Sequence, residues 1–87
     1  MRLHLPGVHS LKEKRGIIKG LLARVQQRFA VAVAEVEHQD VWQSAGLGMA
    51  AVGNDAALLQ SRLRKVVQFI ERSGQVVVAD FRVDVIT

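Results

Sequence analysis

AVAVAEVEHQDVWQSAGLGMAAVGND, residues 30–55, decides how the chain folds. From Ala30 the stretch VAVAEVEH is short, β-branched at alternate positions and too rich in valine to sit comfortably in a helix, so it reads as a strand. QDVW is a connection. SAGLGMAAVG is small and apolar and reads as the next strand, whose glycines leave one face nearly without side chains. Asn54 and Asp55 then supply a helix N-cap. The segment is therefore a strand pair placed between two helical stretches.

Upstream, Ser10 stands three residues before Glu13, the spacing of a capping box, and predicts a helix start. At 100° per residue Leu11, Ile18, Leu21, Leu22, Val25 and Phe29 fall on one stripe with Ile17 on its flank, giving an amphipathic helix from about 11 to 29. Before it, RLHL at 2–5 alternates polar and apolar and is broken by Pro6 and Gly7: a short strand and a turn. Downstream, the second helix runs to about Ser73 with Leu59, Leu63, Val66, Phe69 and Ile70 inward. Gly74 is placed where a residue of positive φ closes a helix. QVVVADFRVDVI then alternates Phe81, Val83 and Val85 against Asp80, Arg82 and Asp84, a strand with Phe81 on its buried face. The order is βαββαβ, the split βαβ of a ferredoxin-like α+β sandwich: four antiparallel strands with both helices on one face. Residues 1–87 read as a single domain, uninterrupted by linker, repeat or low-complexity segment.

Composition agrees. Eighty-seven residues, 49% of them apolar, suffice for one small core and not for two. Twelve Lys and Arg against eight Asp and Glu give +4, a balance that attracts polyanions such as RNA. With no cysteine, disulfides, thiolate metal sites and cysteine nucleophiles are excluded, and a reducing cytoplasm fits. No apolar run approaches the ~20 residues needed to span a bilayer, and MRLHLPG lacks the apolar core of a secretory signal. Neither a membrane nor sequence-specific DNA is an expected partner.

Three blocks carry a resemblance: SLKEKR at 10–15, RFAVAVAEVEHQDVWQSAGLGMAAVGND at 28–55 and VVQFIE at 66–71. Across essentially the whole chain the sequence resembles the YlxP-like family, small bacterial proteins of unknown function. The resemblance implies a ferredoxin-like fold in the bacterial cytoplasm and a gene found near translation and ribosome-maturation genes; it implies no activity. Family members carry several more residues ahead of the segment equivalent to RLHLPG, so a shortened central strand is also implied.

SLKEKRGIIKG, residues 10–20, holds the densest charge. Lys12, Arg15 and Lys19 lie within roughly 60° of each other on the helical wheel and form one ridge, which can track phosphates. Lys14 falls inside the apolar arc, where an unpaired ammonium costs several kcal/mol, so it must snorkel or meet a carboxylate such as Asp40 or Asp55. The cluster is either a capped, solvated helix start with one structural ion pair or a polyanion contact. Adding Arg24, Arg28, Arg62, Arg64, Lys65 and Arg72 gives the two helices ten basic residues against Glu13, Asp55 and Glu71. Polyanion candidates are thus Lys12, Lys14, Arg15, Lys19, Arg64, Lys65 and Arg72. Such residues also serve solubility on any exposed helix.

The sheet argues differently. RLHL and SAGLGMAAVG offer no aromatic ring on which a base could stack. Asp80, Arg82 and Asp84, with Arg2 and His4, would decorate an otherwise small, flat face suited to sheet-on-sheet association, Arg82 pairing with a carboxylate across the interface, and a homo-oligomer is expected. In HQDVW, residues 38–42, His38 and Asp40 lack the further ligands of a metal site. Trp42 either plugs the end of the core or anchors a partner, with Asp40 or Gln39 tying the turn; Trp42, Asp40 and Arg82 are the partner-contact candidates. There is no G-x-S-x-G, no H-E-x-x-H and no phosphate-loop motif, and no cofactor is implied. The expectation is a non-catalytic module that binds RNA or the ribosome through its basic helices. A protein-interaction module assembling through its sheet is the alternative, and the gene neighbourhood implied by the resemblance favours the former.

Overall fold

The computed structural model describes residues 1–37 and 41–82. Six elements follow in the order β1 (Arg2–His4), α1 (Leu11–Arg28), β2 (Ala32–Glu37), β3 (Ser44–Ala50), α2 (Ala56–Glu71) and β4 (Val77–Asp80). Every strand pair is antiparallel and the sheet order is β2-β3-β1-β4. This is the expected ferredoxin-like α+β arrangement.

The helix boundaries sit where the capping chemistry requires. Ser10 Oγ accepts from the Glu13 amide at 3.1 Å, and the Glu13 carboxylate accepts from the His9 amide at 3.4 Å, one residue beyond the usual capping-box target. Asp55 caps α2 by accepting from the Leu58 amide at 3.1 Å. Gly7 and Gly74 hold φ of 79° and 77°, closing the turn after β1 and the turn after α2.

Leu3, Val33, Ala45 and Leu47 on the sheet meet Ile18, Leu21 and Val25 of α1 and Val66 and Ile70 of α2 in one core. Val67 is buried as well, while Leu59, Leu63 and Phe69, expected inward, are half-buried. β1 is only three residues long, yet it is held on both sides. Leu3 faces Ala45 and Val78, the Leu5 amide donates to the Gln43 carbonyl at 2.9 Å, and Leu47 and Met1 exchange two bonds.

Two bulges set which way Glu37 and Asp80 point. Glu35 lies opposite Leu47 but Glu37 lies opposite Gly46, so Val36 is an extra residue in β2. Glu35 shares the helix-covered face with Val33 and Leu47 by simple alternation, and the bulge turns Glu37 to the open face. In β4, Asp80 lies opposite Arg2 and Val78 opposite Leu3, which makes Ala79 the extra residue. Asp80 thereby joins Arg2 and His4 on the open side, as expected for it.

Two expectations for large apolar side chains are corrected. Phe81 lies past the end of β4 at the rim of a small cleft with Met1, Leu47, Met49, Leu63 and Val67, and is 47% exposed rather than buried. Trp42 is 50% exposed and does not plug the core end.

Candidate nucleic-acid interface

The cluster at the start of α1 divides at Lys14. The register places this side chain on the line that carries Ile18, Leu21 and Val25, and it is 0% exposed. Its Nζ lies 2.8 Å from Glu35 Oε2, with the Glu35 side chain 17% exposed. The expected carboxylates are therefore replaced by a third one. Asp55 is engaged as a helix cap, Asp40 is outside the described residues, and strand alternation from Val33 puts Glu35 on the side of β2 that faces α1. Lys14 has no route to solvent and is corrected from a polyanion candidate to a structural residue, since a buried ammonium is tolerable only with a counter-charge close by.

The remaining cations of α1 are exposed. Lys12 and Arg24 border a groove with Glu13, Gly16, Ile17, Gly20 and Gln75, across which Arg24 donates to Gln75 at 3.5 Å. Arg15 and Lys19 border a second groove on the β2 side, whose far wall includes Glu35. The ridge is real, but each of these grooves contains a carboxylate.

A third depression is different. At the end of α1, Arg28 and Phe29 meet Lys65, Gln68, Phe69 and Arg72 of α2 around a cleft of about 370 Å³ with no acidic residue in its lining. Phe29 and Phe69 pack edge to face, ring centroids 5.6 Å apart, and the Arg28 guanidinium lies 5.3 Å from the centre of the Phe69 ring. That is a cation–π arrangement, with the Arg28 guanidinium over the Phe69 ring. Arg62 donates to the Ala30 carbonyl at 3.4 Å, tying α2 to the chain leaving α1.

The candidates thus separate. Lys65 and Arg72 share the cleft. Arg64 is exposed but 100° further round α2 from Lys65, outside the cleft lining. Arg82 is exposed beside Phe81 at the cleft next to Met1, Trp42 is exposed on the β2–β3 connection, and His38, Asp40 and Asp84 lie outside the described residues. Sequence reasoning missed two things. The first is Glu35 as the partner of Lys14: alternation with Val33 signals that Glu35 points inward, but which carboxylate Lys14 meets depends on where α1 crosses β2. Arg28, Gln68 and Phe69 were not joined to Lys65 and Arg72, although the spacing of 65, 68, 69 and 72 places them on adjoining turns of one face.

On the open sheet face, Arg2 and Asp80 pair at 3.0 Å beside Glu37, around Gly46. A Cβ at Gly46 would stand 2.7 Å from Glu37 Cβ, so glycine is required where the bulged strand passes close. No described helix is long and apolar enough to cross a membrane.

Comparison with known proteins agrees with the resemblance carried by the sequence blocks. A family model described as a protein of unknown function, DUF503, matches residues 1–83. The uncharacterized protein YlxP of Bacillus subtilis (strain 168) is 42% identical over 62 residues, which cover 71% of this chain and 67% of the relative. With nearly the whole chain matched, the protein belongs to the DUF503 family of unknown function.

Proposed function

We propose that this protein is a non-catalytic binding module that docks its helical layer on a polyanion, with RNA or the ribosome as the partner class. One observation carries the reading: the separation of charge between the two faces. Lys12, Arg15, Lys19, Arg24, Arg28, Arg64, Lys65 and Arg72 are all exposed on the helices, against Glu13, Asp55 and Glu71. Glu13 and Asp55 are already engaged as caps. Among the described residues none of these eight cations is in an ion pair, whereas the open sheet face mixes Arg2 with Glu37 and Asp80. Like charges gathered on one side raise the local potential and draw an anionic partner to that side. The gene neighbourhood implied by the family resemblance supports a translation-linked polyanion.

Binding of the purified protein to ribosomal subunits and bulk RNA across a salt series tests this. Affinity is expected to fall steeply with salt, because each neutralised phosphate releases counterions. A folded Lys12→Glu, Arg15→Glu, Lys19→Glu variant should bind at least tenfold more weakly. Equal retention of wild type and variant at every salt concentration rejects the reading.

The open sheet supports a second reading, assembly of copies of this chain. Gly46, Gly48, Ala34 and Ala50 make its centre flat, Val36 and Val77 are exposed, and Arg2 with Glu37 and Asp80 gives it both signs of charge, which lets the face complement itself across a two-fold axis. Light scattering should then give a dimer that Ala34→Glu converts to a monomer; a monomeric wild type excludes it.

A further inference from the structure

We propose that the cleft between the end of α1 and α2 is a subsite for single-stranded nucleic acid, with a base stacked on the Arg28 guanidinium and its phosphates held by Lys65 and Arg72. The proposal rests on the polyanion reading of the helical layer and specifies the chemistry recognised there. Three features of the cleft bear on it.

The first is charge without a counter-charge. Arg28 and Arg72 each close a helix, where the dipole favours a cation. Lys65 lies in mid-helix and has no such reason to be there. All three border one cleft whose lining contains no carboxylate. Their mutual repulsion is relieved by an anion, and a phosphate is the anion that a guanidinium fork and an ammonium hold best.

The second is a prepared stacking plane. Phe69 is itself half-buried, braced edge-on by Phe29 and covered on its ring face by Arg28. The ring is not a free platform, but the exposed Arg28 guanidinium sits over it with its central carbon 5.3 Å from the ring centre. A planar guanidinium placed in this way offers its outer face to a nucleobase, the stacking mode by which unpaired bases are recognised. The open sheet lacks any equivalent, so the helical side is where an aromatic-backed platform exists.

The third is dimension. Lys65 and Arg72 are two helical turns apart, about 10 Å along the axis, with Gln68 between them. Gln68 carries both a donor and an acceptor and can meet a base edge. A duplex presents its bases already stacked and paired, so this arrangement selects an unpaired strand.

Fluorescence anisotropy tests the proposal with three probes on the full chain: a labelled single-stranded oligoadenylate, an RNA duplex of equal length, and heparin, which has anionic charge but no bases. Oligoadenylate should bind more tightly than the duplex. Arg28→Lys keeps the charge and removes the plane, and should weaken oligoadenylate about tenfold while leaving heparin unchanged. Lys65→Gln with Arg72→Gln should weaken both probes and reduce the salt slope for the single strand by about 1.4, or 0.7 for each lost phosphate contact. Far-ultraviolet circular dichroism confirms that both variants are folded, and Phe69→Leu, which keeps the core filled, gives a second removal of the stacked geometry. If oligoadenylate binding survives all of these changes but is lost in the Lys12, Arg15, Lys19 variant, the cleft assignment is wrong and the polyanion reading stands. Preference for the duplex also overturns the cleft assignment. If neither nucleic acid nor heparin binds, both proposals fall.

Discussion

Two ion pairs, each beside a β-bulge, have opposite settings. Lys14 and Glu35 meet at 2.8 Å with side chains 1% and 17% exposed; Arg2 and Asp80 meet at 3.0 Å with side chains 56% and 64% exposed. In β2 the extra residue follows Glu35, which keeps the helix-side face that it shares with Val33, while in β4 the extra residue precedes Asp80 and sends it to the open side. The distances are alike and the surroundings are not. An inward pair must be matched because water cannot replace the missing partner, whereas an outward pair exchanges one solvated contact for another. Distance alone therefore says little about which charges the fold depends on.

The comparison is broken most severely from the inside. Lys14→Ala, or Glu35→Ala, removes one side of the buried ion pair and should destabilise by about 3–5 kcal/mol in urea unfolding. Replacing both, Lys14→Met with Glu35→Leu, should restore most of that loss; if the double variant is no better than the single ones, the pair supplies more than charge matching. Next is the bulge geometry itself. Gly46→Ala sets a methyl group against Glu37 and should cost about 1–3 kcal/mol through overpacking. A neutral result would mean that the bulged strand shifts freely. The smallest effect belongs to the outward pair: Arg2→Ala should change stability by less than about 1 kcal/mol, and the difference should shrink further in high salt.

Much of this architecture was legible in the chain. Ser10 with Glu13, Asp55 and Gly74 mark helix ends through local chemistry, and the apolar stripe of α1 is set by a 3.6-residue period that holds whatever lies opposite. The strand order followed from the alternation of elements. The bulges were not legible, because an extra residue is defined only against the partner strand. Glu35, by contrast, is turned inward by alternation with Val33, and its meeting with Lys14 depends on where α1 crosses β2, while Phe81 is exposed because β4 ends at Asp80. At the candidate site the basic bias of the helices could be read directly. The convergence of Arg28 with Lys65 and Arg72 could not, since it depends on how α1 and α2 cross.

The brevity and position of β1 also govern the order of events in folding. Its Leu3 needs Ala45 on one side and Val78 on the other, and the Arg2–Asp80 contact closes a separation of 78 residues. While the polypeptide is being synthesised, α1 and the β2–β3 hairpin can form from neighbouring segments, but β1 has a naked edge until residues 77–80 emerge. Sheet closure is thus a late, long-range step that sets the pace of maturation. A chain halted before β4 would display that edge to other chains, and such a species is expected to aggregate rather than wait in a native-like form.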